Sequence, residues 1–166
     1  MADSNNYSLY QEQKKLRPKL EDVLSEYLSG DIRKTALNFA AWLKTIKMTP
    51  QWGSGNSWKL SYKSKAIGYI KLNDGSWYVC PAGNHHWGYD DFIGNEVFKE
   101  LILRSVKPCT NCGPCAPGKS LAVCGEELDC TCGWFTIRFC DPGPDDLEKI
   151  KQLIDIRKKY YTDKLV

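Results

Sequence analysis

The chain has 166 residues with 23 basic and 20 acidic side chains, a net charge of +3 and 12% aromatic residues. At that length it can bury about 70% of the surface its unfolded form exposes, so it folds without staples and its eight cysteines answer some other need. So mild a charge argues against a nucleic-acid partner, which usually asks for a strongly basic domain, and no run approaches the roughly 20 apolar residues of a membrane span.

The opening MADSNNYSLYQEQKK has no apolar stretch, so no secretory signal is read. A cytoplasmic protein is expected, in which clustered thiols mean metal or redox chemistry before disulfides. Residues 1–17 read as a flexible arm or a short lead-in helix, and 18–166 as a single domain. Pro18 suits the first turn of a helix, where its missing N–H costs nothing. Leu20, Val23, Leu24, Tyr27 and Leu28 then recur at helical spacing. Gly30 stops that helix and Asp31 is a candidate cap for a second. Its stripe is Ile32, Ala36, Phe39, Ala40, Leu43 and Ile46, broken at Met48-Thr49-Pro50.

The period then changes to two. Trp52 to Ser57 is a loop by composition, Trp58 to Lys63 alternates as a half-buried strand, and Ala66 to Leu72 is a second strand. Asn73-Asp74-Gly75 tolerates positive φ and predicts a tight hairpin into a third strand, Ser76 to Cys80. After a loop holding His85, His86 and Trp87, a helix capped by Asp90 or Asp91 is expected with Phe92, Ile93, Val97, Phe98, Leu101 and Ile102 on one face. The cysteine segment follows, inserted at 107–133. Trp134 to Cys140 reads as the last strand, and Pro144 with two following aspartates opens the last helix. In that helix Arg157, Lys158 and Lys159 are expected near the C-terminal end, where positive charge is favourable. The order predicts an α+β fold: an antiparallel sheet of about four to five strands, helices packed on one face, and a cysteine-rich loop.

The meander WKLSYKSKAIGYIKLNDGSWYV and the strand–helix pair GWFTIRFCDPGPDDLEKIKQLIDIRKKY resemble small bacterial α+β proteins of the YdhG-like kind. The likeness covers about half of the chain and rests on element order and a few aromatics. It implies the same fold and carries no activity, and the cysteine segment departs from it.

That segment, Lys107 to Trp134, holds Cys109, Cys112, Cys115, Cys124, Cys130 and Cys132. A structural zinc ion takes four ligands in a tetrahedron, commonly two from each of two short turns. Cys109-Thr110-Asn111-Cys112-Gly113 and Cys130-Thr131-Cys132-Gly133 are such turns. The glycine after each permits the left-handed backbone that aims amide N–H groups at thiolates. This quartet is the expected Zn(2+) site, with Cys115 and Cys124 as alternates. Four thiolates leave no open position, so the metal would be structural.

Three other readings stay open. Cys109, Cys112 and Cys115 open like the run that binds an iron–sulfur cluster, but Lys119-Ser120 stand where the run requires cysteine and proline. Cys112-Gly113-Pro114-Cys115 has the letters of a thioredoxin site, which would make the protein a thiol-disulfide oxidoreductase. That chemistry needs a helix N-terminus, and Pro117-Gly118 denies it one. Buried apolar thiols suit Cys80 and Cys140 at strand ends better than the segment.

Trp52, Trp58, Tyr62, Tyr69, Trp77, Tyr78 and Trp87 concentrate around the meander, and Trp58, Tyr62, Tyr69, Trp77 and Trp87 suggest an aromatic-lined sheet face for a small-molecule ligand. Packing beneath the helices explains the same rings. Lys59, Lys63, Lys65 and Lys71 sit on or near the same strands, and a nucleic-acid surface would interleave such charges with rings, but a solvated sheet face explains them more simply. Asp74, Asp90, Asp91 and Glu96 offer no pair spaced for acid–base work, and no phosphate loop or nucleophile elbow is present. A binding or structural protein is expected, rather than an enzyme.

Overall fold

Leucines recur every four residues at Leu20, Leu24 and Leu28, and all three are buried. They form the inward stripe of α1 (Leu20–Tyr27) and its C-terminal cap. Val23 and Tyr27, which the same spacing would place inward, stand half-buried and exposed. The structure, a computed structural model, describes residues 11–73, 75–81, 96–106, 119–123, 126–131 and 137–163. The chain divides into two compact units, Met1–Val79 and Cys80–Val166.

In the first unit, residues 11–16 form a short helical lead-in ahead of α1. Gly30, at φ +58°, turns the chain into α2 (Gly30–Thr45), whose cap residue is Ser29 rather than the expected Asp31. Ala36, Phe39, Ala40 and Leu43 are its buried face. The helix closes with a Schellman motif, in which the Met48 N–H donates to the Leu43 carbonyl (2.9 Å) and the Lys47 N–H to that of Lys44 (3.0 Å). Lys47 takes the left-handed position usual for glycine, at φ +60°. Met48, fully buried, supplies the apolar contact that accompanies this ending.

The meander has one strand more than expected. β1 (Gln51–Ser54) lies in what composition marks as a loop, and pairs antiparallel with β2 (Ser57–Tyr62). The register shifts between Trp52 and Ser54, so the pairing survives only through an irregularity around Gly53. β2 pairs with β3 (Lys65–Asn73), which Gly75 (φ +76°) helps to turn into β4 (Ser76–Pro81). The two-residue turn from β2 to β3 is Lys63-Ser64, both at positive φ (45° and 65°). Such hairpins favour Asn-Gly, and neither residue found here is suited to that backbone. Trp58, Leu60, Ile67, Ile70, Leu72, Trp77 and Val79 are the sheet's contribution to the core. α2 meets it where the Phe39 and Trp77 rings lie 5.8 Å apart.

In the second unit, α3 (Glu96–Ser105) buries Phe98, Leu101 and Ile102 but exposes Val97, which the sequence stripe would have hidden. Val106 bridges Ile137, and the Arg138 N–H donates to the Ser105 carbonyl (2.9 Å). Two strands stand where a loop was expected: β5 (Lys119–Val123) and β6 (Glu126–Thr131) form an antiparallel pair of their own. Of the expected last strand, Trp134, Phe135 and Thr136 lie outside the described residues; among the described ones Ile137 forms an isolated bridge and β7 is Phe139–Cys140. α4 (Pro144–Asp163) begins at the expected proline. It runs past Arg157, which is therefore buried mid-helix with its guanidinium beside the Tyr161 hydroxyl (3.4 Å) and ring, not at the exposed C-terminal end. The two sheets are an open antiparallel one of order β1-β2-β3-β4-β7 and the β5–β6 pair.

Candidate functional site

The cysteine segment enters the described structure only through β5 and β6. Lys119 pairs with Thr131, and at the other end Val123 pairs with Glu126. Between them the register slips by one, so Asp129 and Cys130 stand against Ser120 alone. Such a bulge bends a strand and re-aims the residues at it, and bulges cluster near functional sites. Cys130 thus falls at an irregular position close to the paired end of the hairpin. Of the expected zinc ligands, Cys109, Cys112 and Cys132, and the alternates Cys115 and Cys124, lie outside the described residues, as does the Cys112/Cys115 redox pair. Among the described residues no group of three or more His, Cys, Asp or Glu is arranged to hold a metal ion.

Cys80 and Cys140, expected to be buried apolar thiols, divide. Cys80 is fully buried on β4, whereas Cys140 is exposed, with its Sγ 3.7 Å from the Asp141 carboxylate. Alternation accounts for Cys140, because Phe139 takes the inward position of β7 and turns its neighbour outward, whereas Cys80 is buried next to the equally buried Val79 and departs from alternation. His85 and His86 lie outside the described residues.

The aromatic residues proposed for a ligand wall do not share one surface. Trp58 and Trp77 are sealed in the core at 0% and 1% exposure, and the Trp58 indole N–H is satisfied by the Pro18 carbonyl at 2.9 Å. Trp58 stands opposite Ile70, and Lys59 opposite Tyr69, so pleating puts Tyr69 on the other face of the sheet. Tyr62 is half-buried at the end of β2, with the Lys63 ammonium 5.7 Å from its ring centroid. Trp87 lies outside the described residues. Tyr78, another ring of the same aromatic cluster, is half-buried between the inward Trp77 and Val79. The alternation Trp-Tyr-Val already marked it as facing away from them. Strands β3 and β4 bury Ile70, Leu72, Trp77 and Val79 on one side, which leaves Tyr69, Lys71 and Tyr78 on the other.

The edge at β1 is held by a side chain far away in sequence. The Gln13 carbonyl oxygen accepts from the Trp52 indole (3.1 Å) and the Asn56 backbone N–H (2.8 Å), while its amide donates to the Asn56 side chain (2.6 Å). Gln13 is buried, and all of these bonds involve groups that would otherwise lose water without replacement. This explains why a segment of loop-like composition keeps strand geometry, with Asn56 at φ +47°. Among the described residues of the unit, the Glu21 carboxyl is clearly shifted. Partial burial pushes its carboxyl upward, but the Lys44 ammonium 2.6 Å away, its own backbone and the Lys19 charge outweigh that and hold it below the usual 4.5.

No protein-family model, no curated protein and no solved structure matches this chain.

Proposed function

We propose that the protein is a binding or structural protein with a four-cysteine zinc knuckle as its chemical centre, appended to an α+β body whose helices pack on one face of the sheet. Cys109 and Cys112 form one half of the knuckle and Cys130 and Cys132 the other. The observation that carries this reading is the pairing of Lys119 with Thr131. It joins, at one end of the β5–β6 hairpin, the chain that arrives from Cys109 and Cys112 and the chain that leaves toward Cys132.

The same pairing weighs against the alternate Cys124. That residue follows Val123, at the far end of a hairpin whose strands rise about 3.4 Å per residue, so four steps separate the ends by about 14 Å. Two thiolates on one ion, each about 2.3 Å from it, are held much closer than that. The zinc would be structural, closing the long chain between Ser105 and Ile137. The sheet surface around Tyr69 is the ligand-facing part of this reading, since the buried Trp58 and Trp77 have no access to solvent.

Elemental analysis of protein purified without chelator tests the reading. About one zinc per chain is expected, lost together with hairpin protection in the Cys109→Ser and Cys130→Ser variants and retained in Cys124→Ser. Metal-free, folded protein with six reactive thiols in the segment would overturn it.

A further inference from the structure

Charge is unevenly spread along this chain. Of its 23 basic and 20 acidic side chains, residues 51–81 hold four lysines and one aspartate, which leaves 19 of each for the rest. The whole net charge of +3 therefore belongs to the four-strand meander, and the mildness of the total hides a local excess. Strand register then decides where that charge goes. Lys59 stands directly opposite Tyr69, and Lys71 opposite Ser57, in the β2–β3 ladder. All four residues are on the face turned away from Trp58, Leu60 and Ile70. Tyr78 is on that side of β4, and Gln51 pairs with Lys59 from β1.

Neighbouring strands lie about 4.8 Å apart and alternate residues about 6.8 Å along a strand. The face thus presents rings and ammonium groups as close neighbours within one patch. Lys59, Tyr69, Lys71 and Tyr78 are each half-buried, so their stems pack on the sheet while each keeps some contact with water. Lys63 and Lys65, both exposed, extend the positive charge to the β2–β3 turn.

We propose that this outer face of β2, β3 and β4 binds single-stranded nucleic acid, with Tyr69 and Tyr78 as stacking platforms and Lys59 and Lys71 on the phosphates. A planar ring accepts any base, and lysines at strand spacing track a backbone without reading sequence. An acidic peptide would meet the same lysines but would have no use for the rings. Duplex DNA offers its bases only at the groove edges, so it too would leave Tyr69 and Tyr78 without a stacking partner. With two to four phosphate contacts, each worth about −0.7 in the salt slope for a single strand, affinity should fall about 7- to 50-fold between 50 and 200 mM salt. Binding is thus weak at physiological salt and readily measured below it.

The test is fluorescence anisotropy of the full chain with labelled oligo(dT) and oligo(U) of about 16 nucleotides at about 20 mM salt. A duplex of the same length and polyglutamate serve as competitors. Single strands are expected to bind in preference to both. Replacing Lys59 and Lys71 together (Lys59→Gln, Lys71→Gln) should lower the salt slope by about 1.4. Tyr69→Val should weaken binding about 5-fold or more and Tyr69→Phe should leave it intact. Lys34→Gln, an exposed lysine on α2 outside the meander, should change nothing. No binding at low salt would overturn the proposal, as would polyglutamate competing as well as oligo(dT). So would single-strand binding that survives the double lysine variant unchanged, which keeps the test decisive even if Tyr69→Val fails to fold. The zinc content of each preparation is independent of all these outcomes.

Discussion

Two hairpins in this protein are built alike and held differently. The β2–β3 and β5–β6 pairs are both antiparallel, both joined by two residues and both interrupted by a register shift. In the first, Trp58, Leu60, Ile67, Ile70 and Leu72 line one face and are buried. That face fixes its register, because a slip of one residue would turn all of them into water. The second has strands KSLAV and EELDCT, with few apolar residues, flanked by cysteine, glycine and proline. An isolated two-stranded hairpin is marginal in water. α3 runs beside β5, and the proposed knuckle would supply the rest. The difference teaches that one kind of element can be specified by a core or by what ties its ends.

If the first hairpin is core-specified, truncating its largest buried side chain should be severe. Trp58→Ala is expected to cost about 3–5 kcal/mol, with an added loss from leaving the Pro18 carbonyl without the indole. Urea denaturation followed by tryptophan fluorescence and far-UV circular dichroism measures it, and a cost below about 1 kcal/mol would remove the basis of the comparison.

The weak point of the same hairpin lies in its turn. Replacing Lys63 by Asn and Ser64 by Gly puts suitable residues at both positive-φ positions, and the pair of changes should stabilise by about 1–2 kcal/mol. A rise in the denaturation midpoint at unchanged slope checks it. No rise would mean that the strand register, and not the turn, sets the stability of this hairpin.

The smallest effect belongs to the helices that support the sheet. The Glu21 carboxyl is held below its ordinary value, so the contribution of its ion pair with Lys44 is fully present above about pH 4.5 and is lost as pH falls through the folded value. The pair is partly exposed and is worth less than about 1 kcal/mol. The stability difference between the wild-type chain and Glu21→Gln should therefore shrink toward zero between pH 6 and about pH 3, and a difference independent of pH would assign the effect to packing.

Much of the first unit was legible in the sequence. The three- and four-residue spacing of Leu20, Leu24 and Leu28 and of Ala36, Phe39 and Leu43 needs only the pitch of a helix, and Asn73-Asp74-Gly75 needs only the φ preferences of its residues. β1 was not legible, since Gly53 and Gly55 read as loop and the groups that hold the strand come from Gln13. Nor was the turn at Lys63-Ser64, where hairpin closure forces two unsuited residues into positive φ. β5 and β6 were not legible either, since KSLAV shows no period-two alternation and both strands stand among cysteine, glycine and proline. The aromatic cluster of the meander was legible, but which of its rings share a face was not, since that depends on the register that sets Trp58 opposite Ile70 and Lys59 opposite Tyr69.

The sequence by itself determined the helical stripes, the tight turn before β4, the cysteine segment and the net charge of +3, because each depends on neighbours along the chain. Only the tertiary structure decided that Lys59 faces Tyr69, that Gln13 closes the β1 edge, that Cys80 is buried while Cys140 is exposed, and that Lys119 meets Thr131. Those outcomes depend on which segments pair and in what register, and that choice is made by burial and hydrogen bonding between residues far apart in sequence.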